Sequence, residues 1–529
     1  MANETTDVLI IGTGFGGSIP GYYLAAGGAS VIMLERGPRF STEDFTQSLQ
    51  VGGYTRIIDS IAGNGIDVTA GNCVGGSSVV YYAASLRAPS FVFERRGTIG
   101  RRIWPKSITR QKLDKWYRRV EDALPVSRLS WNDVPYAGGV FGAACARAGH
   151  TCQPLPVAVD LTRCTNCDWM HTGCRFDAKR SMLLNYIPAA EASGAVIRPL
   201  HEVQAIQPAQ TAGFRYAVSY LQLDPNDYTK SVGSGVIEAK IVIVAAGAMG
   251  TPVILQRSAA YLGGMPKAVG RYFSANGDRV TVAALDEDKV HDLLGLERAP
   301  GVAYDAFPIG KPISAMTFDY LDPRAPEFSR FGLQQIYFPP IVNHLPGVDE
   351  PPVWFGVDKR DLLSRWRSWL TILAMTEDAN EGVFDPPPDF GNFTRIGPGA
   401  AVGQLKYDIA PETAHGFALS DAASQSIMTL DGLATLHLVT STTKIQCAHP
   451  LASCRIGDDP ATSALDDRHE LRGHPGIFVT DASSVPTSLC VNPSLTIAAL
   501  AERASSILLK RAAEYGVAVK HHGAMDAFS

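Results

Sequence analysis

The chain has 529 residues, 46% hydrophobic and 19% charged, a supply of apolar side chains that suits a large folded core and excludes a disordered chain. Lys and Arg number 47 against 52 Asp and Glu, a formal charge of −5 with no basic stripe. A nucleic-acid binder and an anionic-membrane binder are therefore both unsupported. In chain order, the first seven residues are polar and acidic, unlike a secretory signal. Val8–Gly12 is a short β-branched run, a candidate buried parallel strand. Gly12-Thr-Gly14-Phe-Gly16-Gly17 follows as a G-x-G-x-x-G loop, with a helical stretch to about Gly27. A second apolar run, Ser30–Leu34, ends in Glu35, 18 residues beyond Gly17.

Strand, glycine loop, helix, strand and acid in that order read as a dinucleotide site. The glycines let the backbone approach a pyrophosphate, and the helix N-terminus offers it unpaired N–H groups. Glu35 stands where a carboxylate accepts from a ribose 2′-hydroxyl, and its charge argues against the 2′-phosphate of NADP. The motif by itself leaves FAD and NAD open.

Gly75-Gly76-Ser77-Ser78 is a second glycine-rich loop able to turn backbone donors to phosphate or flavin. Tyr82, Trp104, Tyr337 and Phe338 read as core aromatics rather than site residues. Cys164, Cys167, His171 and Cys174 carry zinc-type ligand atoms, but their spacing fits zinc poorly. With Met170 in place of a cysteine, an iron–sulfur run lacks one ligand. The expected reading is a structural loop without metal. Ile241–Gly247 is another buried strand ending in small residues. Ser314–Tyr320, Gly332–Phe338 and Trp369–Met375 read as strands of a mixed or antiparallel sheet. Pro-rich Phe338–Pro340, Glu350–Val353 and Asp385–Pro388 read as loops. Gly476–Asp481 is a last strand ending in an acid, and Asn492 before Pro493 reads as a helix cap. No apolar run reaches the roughly 18 residues of a membrane span. Nine cysteines without regular spacing suit a reducing compartment, so a cytoplasmic address is expected.

Taken together these segments resemble the glucose–methanol–choline (GMC) family of FAD-dependent oxidoreductases. Gly71–Ser78 resembles its first signature, Gly247–Leu255 its second, and His449-Pro-Leu-Ala-Ser-Cys454-Arg-Ile-Gly457 its active-site segment, with Ala452 in place of a family Gly. Tyr81 stands where an Asn is common. Val491-Asn492-Pro493 and the cysteine-bearing segment are most similar to the cholesterol-oxidase-like branch. The resemblance implies an α/β fold, with a discontinuous Rossmann-like FAD domain over residues 1–85, 160–275 and 445–529. Residues 86–159 and 276–444 are then the substrate domain and cap, built on the mixed or antiparallel sheet.

It implies a cofactor site from Gly12, Gly14, Phe15, Gly16 and Gly17, with Glu35 and Arg36 after the second strand. Gly71, Gly75, Gly76, Ser77 and Ser78 belong to the second loop. Val203, Ala246, Gly247, Asp481, Ala482, Asn492, Pro493 and Thr496 complete it. No His stands in the place used for covalent flavin, so FAD is expected to be dissociable. The chemistry implied is oxidation of an alcohol, with His449 taking the hydroxyl proton and Asn492 holding the oxygen while hydride passes to flavin. His171, His344 and His469 are the next imidazoles to examine. The substrate is a small-molecule alcohol, either a bulky cyclic one of sterol type or an amino-sugar or other natural-product alcohol, and the acceptor is oxygen or another oxidant. In sterol oxidases of this branch a Glu shifts a ring double bond; the matching residue here is Gln335, which cannot act as a base, so isomerase activity should be missing. An NAD-dependent dehydrogenase and a catalytically silent flavin binder are the readings set against this one.

Overall fold

The computed structural model describes residues 4–47, 57–97, 100–295, 311, 313–337, 360, 368–385, 405–439 and 444–520. Of the proline-rich stretches only Asp385 falls among them, and Phe338 and His344 lie outside the described residues.

The first apolar run forms strand β1 (Glu4–Ile11), the stretch after the glycine loop forms helix α1 (Phe15–Ala26), and the second run forms β2 (Val31–Leu34). A long strand, β3 (Ser231–Val244), pairs in parallel with β1 on the side away from β2, and helix α2 (Gly247–Ser258) leaves its end. β2 and the inner ends of β1 and β3 are buried on both faces, as a parallel sheet sandwiched by helices requires. Val196–Arg198 extends this sheet beyond β2, Tyr216–Leu223 and His201–Pro208 extend it antiparallel beyond β3, and Ile477–Val479 pairs in parallel with β3. Its strands thus come from three stretches of chain far apart in sequence. The last helix, α3 (Ser494–Arg511), packs against α1.

The second sheet is antiparallel throughout. Strands β4 (Asp278–Leu285), β5 (Ile313–Thr317), β6 (Phe331–Ile336), β7 (Trp369–Thr376) and β8 (Ala434–Val439) stand in the order β8-β4-β7-β6-β5, with Gln153–Pro154 at the far edge. Helices Tyr136–Arg147 and Pro411–Met428 cover one face, burying Leu333, Leu370 and Ile372. The other face carries Met316, Ile336, Leu373 and Met375 into the main core with the cofactor-side strands.

Alternation along β6 corrects the placement of Gln335. Its side chain lies on the helix-covered face and accepts from Ser314 Oγ at 3.2 Å. Gln334 occupies the opposite face, fully buried beside Met375. A one-residue step along a strand exchanges the two faces. The side chain turned to the cofactor side is again a glutamine, so that side of the strand also lacks a carboxylate.

A small three-stranded sheet sets the site's frame. Ile445–Cys447 pairs in parallel with Ile66–Gly71, which pairs antiparallel with Ile58–Ala62. It holds the segment leading to His449 beside the one leading into the second glycine loop. Among the described residues no helix is long and apolar enough to cross a membrane.

Candidate active site

One cavity of about 410 Å³, partly open to solvent, runs between the ends of these elements. Small-molecule pockets usually enclose roughly 300–1,000 Å³, so this one is of ligand-binding size. Its walls include Gly12, Gly14, Phe15 and Gly16 of the first turn, Glu35 and Arg36 after β2, and Gly71, Gly76 and Ser77 of the second loop. Val203, Ala246, Gly247, Asp481, Ala482, His449, Asn492 and Pro493 line it as well.

The glycines do two different things. A Cβ on Gly14 or Gly247 would meet no protein atom within 4 Å, so at these two wall positions it would enter open space. A Cβ on Gly17 would fall 2.0 Å from the Gly12 carbonyl oxygen, so Gly17 serves the close packing of α1 on β1. Gly17, Gly75, Ser78 and Thr496 stand behind the wall. Ser78 Oγ donates to Gly75 O at 2.6 Å and accepts from Met182 N at 2.9 Å. Thr496 shares a 2.8 Å hydrogen bond with the Tyr117 hydroxyl.

Two buried carboxylates tie the turns together. Glu35 accepts from Thr13 N at 3.0 Å, Thr13 Oγ at 2.7 Å and Gly37 N at 2.9 Å. Burial pushes its carboxyl above the usual range, and these donors pull the other way. Thr13 Oγ also accepts from Gly75 N at 2.9 Å, so one threonine, in a position the motif leaves free, bridges both glycine loops. Asp481 accepts from Gly247 N at 2.8 Å and Thr251 Oγ at 2.5 Å through one oxygen, and from the Ser483 N–H and hydroxyl through the other. It fixes the start of α2 against the end of the last strand.

His449 follows Ile445–Cys447 and lines the cavity. Its Nδ1 lies 2.8 Å from Asp278 Oδ1, and Asn492 Nδ2 lies 3.3 Å from its Nε2. The capping role of Asn492 is corrected here. α3 begins at Ser494, no side chain caps it, and the Asn492 amide faces the imidazole instead. Asn492, Pro493 and Ser494 place the N-terminal end of α3 on the cavity wall, where its dipole favours negative charge. Ala452 adopts φ 68°, the left-handed region that explains why a glycine is favoured there.

Tyr82, Tyr81 and His171 are among the wall residues that the sequence does not assign to the site. Tyr82 lines the cavity and donates to Tyr337 O at 3.2 Å, whereas Trp104 is buried and binds Thr487 Oγ. Tyr81 lines it too, with its hydroxyl donating to Arg180 O at 2.6 Å. His171 stacks on Trp169 at the wall, and burial pushes its imidazole down to about 3, so it stays neutral at working pH. His469 is fully buried away from the cavity, with Nδ1 3.2 Å from Val479 O. His171 therefore parts company with Cys164, Cys167 and Cys174, which line a separate hollow beside Asp168. Among the described residues no three His, Cys, Asp or Glu side chains are grouped to hold a metal.

A Rossmann-like sheet whose glycine turns open on the same cavity as an imidazole defines a dinucleotide-dependent oxidoreductase. Comparison with known proteins narrows the class. Residues 6–275 match the N-terminal model and residues 406–501 the C-terminal model of the GMC oxidoreductases. The chain belongs to this family, and its cofactor is FAD. It is 26% identical to a cholesterol oxidase of Mycobacterium tuberculosis, over 95% of this chain and 90% of that one. It is 24% identical to a paromamine 6′-oxidase of Streptomyces fradiae, over 94% and 90%. A pyridoxine 4-oxidase crystal structure, from an organism given as Mesorbium loti, has the same fold, with a TM-score of 0.64 at 15% identity over 95% and 98%.

Proposed function

We propose that this enzyme oxidises a CH–OH group to a carbonyl with His449 as the base. The observation that carries the reading is the imidazole on the cavity wall, held between Asp278 and Asn492. FAD, when bound, supplies the hydride acceptor. His449 Nε2 takes the hydroxyl proton, and the Asn492 amide orients the oxygen. Gly14 and Gly247 leave space for the cofactor, and the first turn of α3 favours the negative charge that reduction brings. Residues 1–85, 160–275 and 445–529 hold the cofactor, dissociably, and the rest forms the substrate side. The cysteine loop is structural and carries no metal.

The substrate is a bulky cyclic alcohol of sterol or natural-product type, which the similarity to a cholesterol oxidase supports. The similarity to a paromamine oxidase favours a polar amino-sugar alcohol as the second reading. An anaerobic screen of alcohols for bleaching of the flavin finds the substrate, and readmitting air separates oxidase from dehydrogenase. With that alcohol, His449→Ala should keep its FAD and reduce it about 10²–10⁴-fold more slowly. Raising the pH should restore part of the rate, because a preformed alkoxide needs no base. Reduction by His449→Ala at the normal rate would assign the proton transfer elsewhere.

A further inference from the structure

We propose that Asp278 is a positioning residue that fixes His449 in one tautomer, with the proton on Nδ1 and the lone pair on Nε2. The inference rests on the reading of His449 as the base and supplies the reason that its free nitrogen can accept.

Asp278 opens β4, where it pairs with Met375 of β7, so the carboxylate is carried by the second sheet. His449 lies 171 residues further on, beyond the small three-stranded sheet. One carboxylate holds both the ring and its backbone: Oδ1 is 2.8 Å from His449 Nδ1, and Oδ2 accepts from Ala448 N at 2.9 Å. The Asp278 side chain is 1% exposed, so water competes little for either oxygen. An ionised carboxylate can only accept, so Nδ1 must donate. A neutral imidazole has a single N–H, which leaves Nε2 with its lone pair. Asn492 fits the same arrangement from the other side of the ring, where its Nδ2, 3.3 Å from Nε2, can donate to that lone pair. When the alcohol O–H bond breaks and the proton reaches Nε2, the imidazolium charge forms beside the carboxylate, which holds it.

Arg279, next along β4, turns to the opposite face and pairs with Asp421 at 2.8 Å. The Cys447 thiol is pushed well up by burial and by Asp278, so it is neutral. Asp378 packs nearby, accepting from Ser274 Oγ at 2.7 Å and Gly277 N at 3.2 Å.

The test uses the FAD-bound protein labelled with [15N]histidine, with the His449 resonances identified by their loss in His449→Gln. The wild type at neutral pH should show a protonated Nδ1 and an unprotonated Nε2. Asp278→Asn should give a mixture of the two tautomers in place of the single one. A wild-type Nε2–H tautomer would overturn the proposal without any variant, so a poorly folding Asp278→Asn leaves it open to refutation. An unchanged single tautomer in a folded Asp278→Asn would overturn it equally. These outcomes are separate from the kinetic one. Normal flavin reduction by His449→Ala removes the base, whereas the wrong tautomer removes only the positioning role.

Discussion

Replacing Gly14 by alanine should weaken cofactor binding and leave the fold standing. The Gly14 backbone, φ −68° and ψ −164°, is one that alanine adopts without strain, and its Cβ would meet nothing within 4 Å. The space it would enter is the cavity at the start of α1, where the family's pyrophosphate must approach. One extra methyl forced into a filled site costs about 1–3 kcal/mol. At 1.4 kcal/mol per tenfold, FAD should bind about 5- to 150-fold more weakly. Gly17→Ala is the contrasting control. Its Cβ would sit 2.0 Å from the Gly12 carbonyl oxygen, a backbone atom that cannot swing aside, so this variant should be destabilised even without cofactor. The assay has two arms: flavin titration of each apoprotein, and urea unfolding of each apoprotein. Gly14→Ala should unfold within about 0.5 kcal/mol of the wild-type apoprotein. Full FAD affinity in Gly14→Ala, or a collapse of its stability without flavin, would refute the reasoning.

Asp168 should make the protein less stable as pH rises. Both its carboxylate oxygens are buried without a hydrogen-bond partner among the described residues, and burial pushes the carboxyl up to about 9 from 3.8. The folded state keeps a proton that the unfolded chain releases, so stability present below about pH 4 is lost on the way to about pH 9. Asp168→Asn should gain nothing near the low end and up to about 1.4 kcal/mol per pH unit above it, measured by urea midpoints. An equal gain at both ends would contradict this. Acid precipitation of the holoprotein should release all of the flavin to the supernatant; colour left in the pellet would mean a covalent bond.

What could be read from the sequence is what local chemistry dictates. Gly12 to Gly17 can be read because a backbone that approaches phosphate and sheet must lack Cβ atoms at fixed steps, whatever the rest of the chain does. β1, α1 and β2 can be read because an apolar run marks each strand and a glycine stands at each end of the helix. His449 stands out only through the segment around it, since an isolated imidazole carries no sign of its role. The tertiary structure decided the remainder. Gln334 and Gln335 are neighbours of one type, and only strand register assigns one to the cofactor side and the other to a helix. Asn492 before Pro493 reads as a cap, yet the nearby imidazole claims its amide. Thr13 bridges two loops from a position where a motif permits any residue. Asp278 and His449 meet because one opens a strand of the second sheet and the other follows a strand of the three-stranded sheet. Spacing along a chain constrains neighbours within a few residues. A hydrogen bond across 171 residues exists only once both sheets are packed, so no local pattern foretells it.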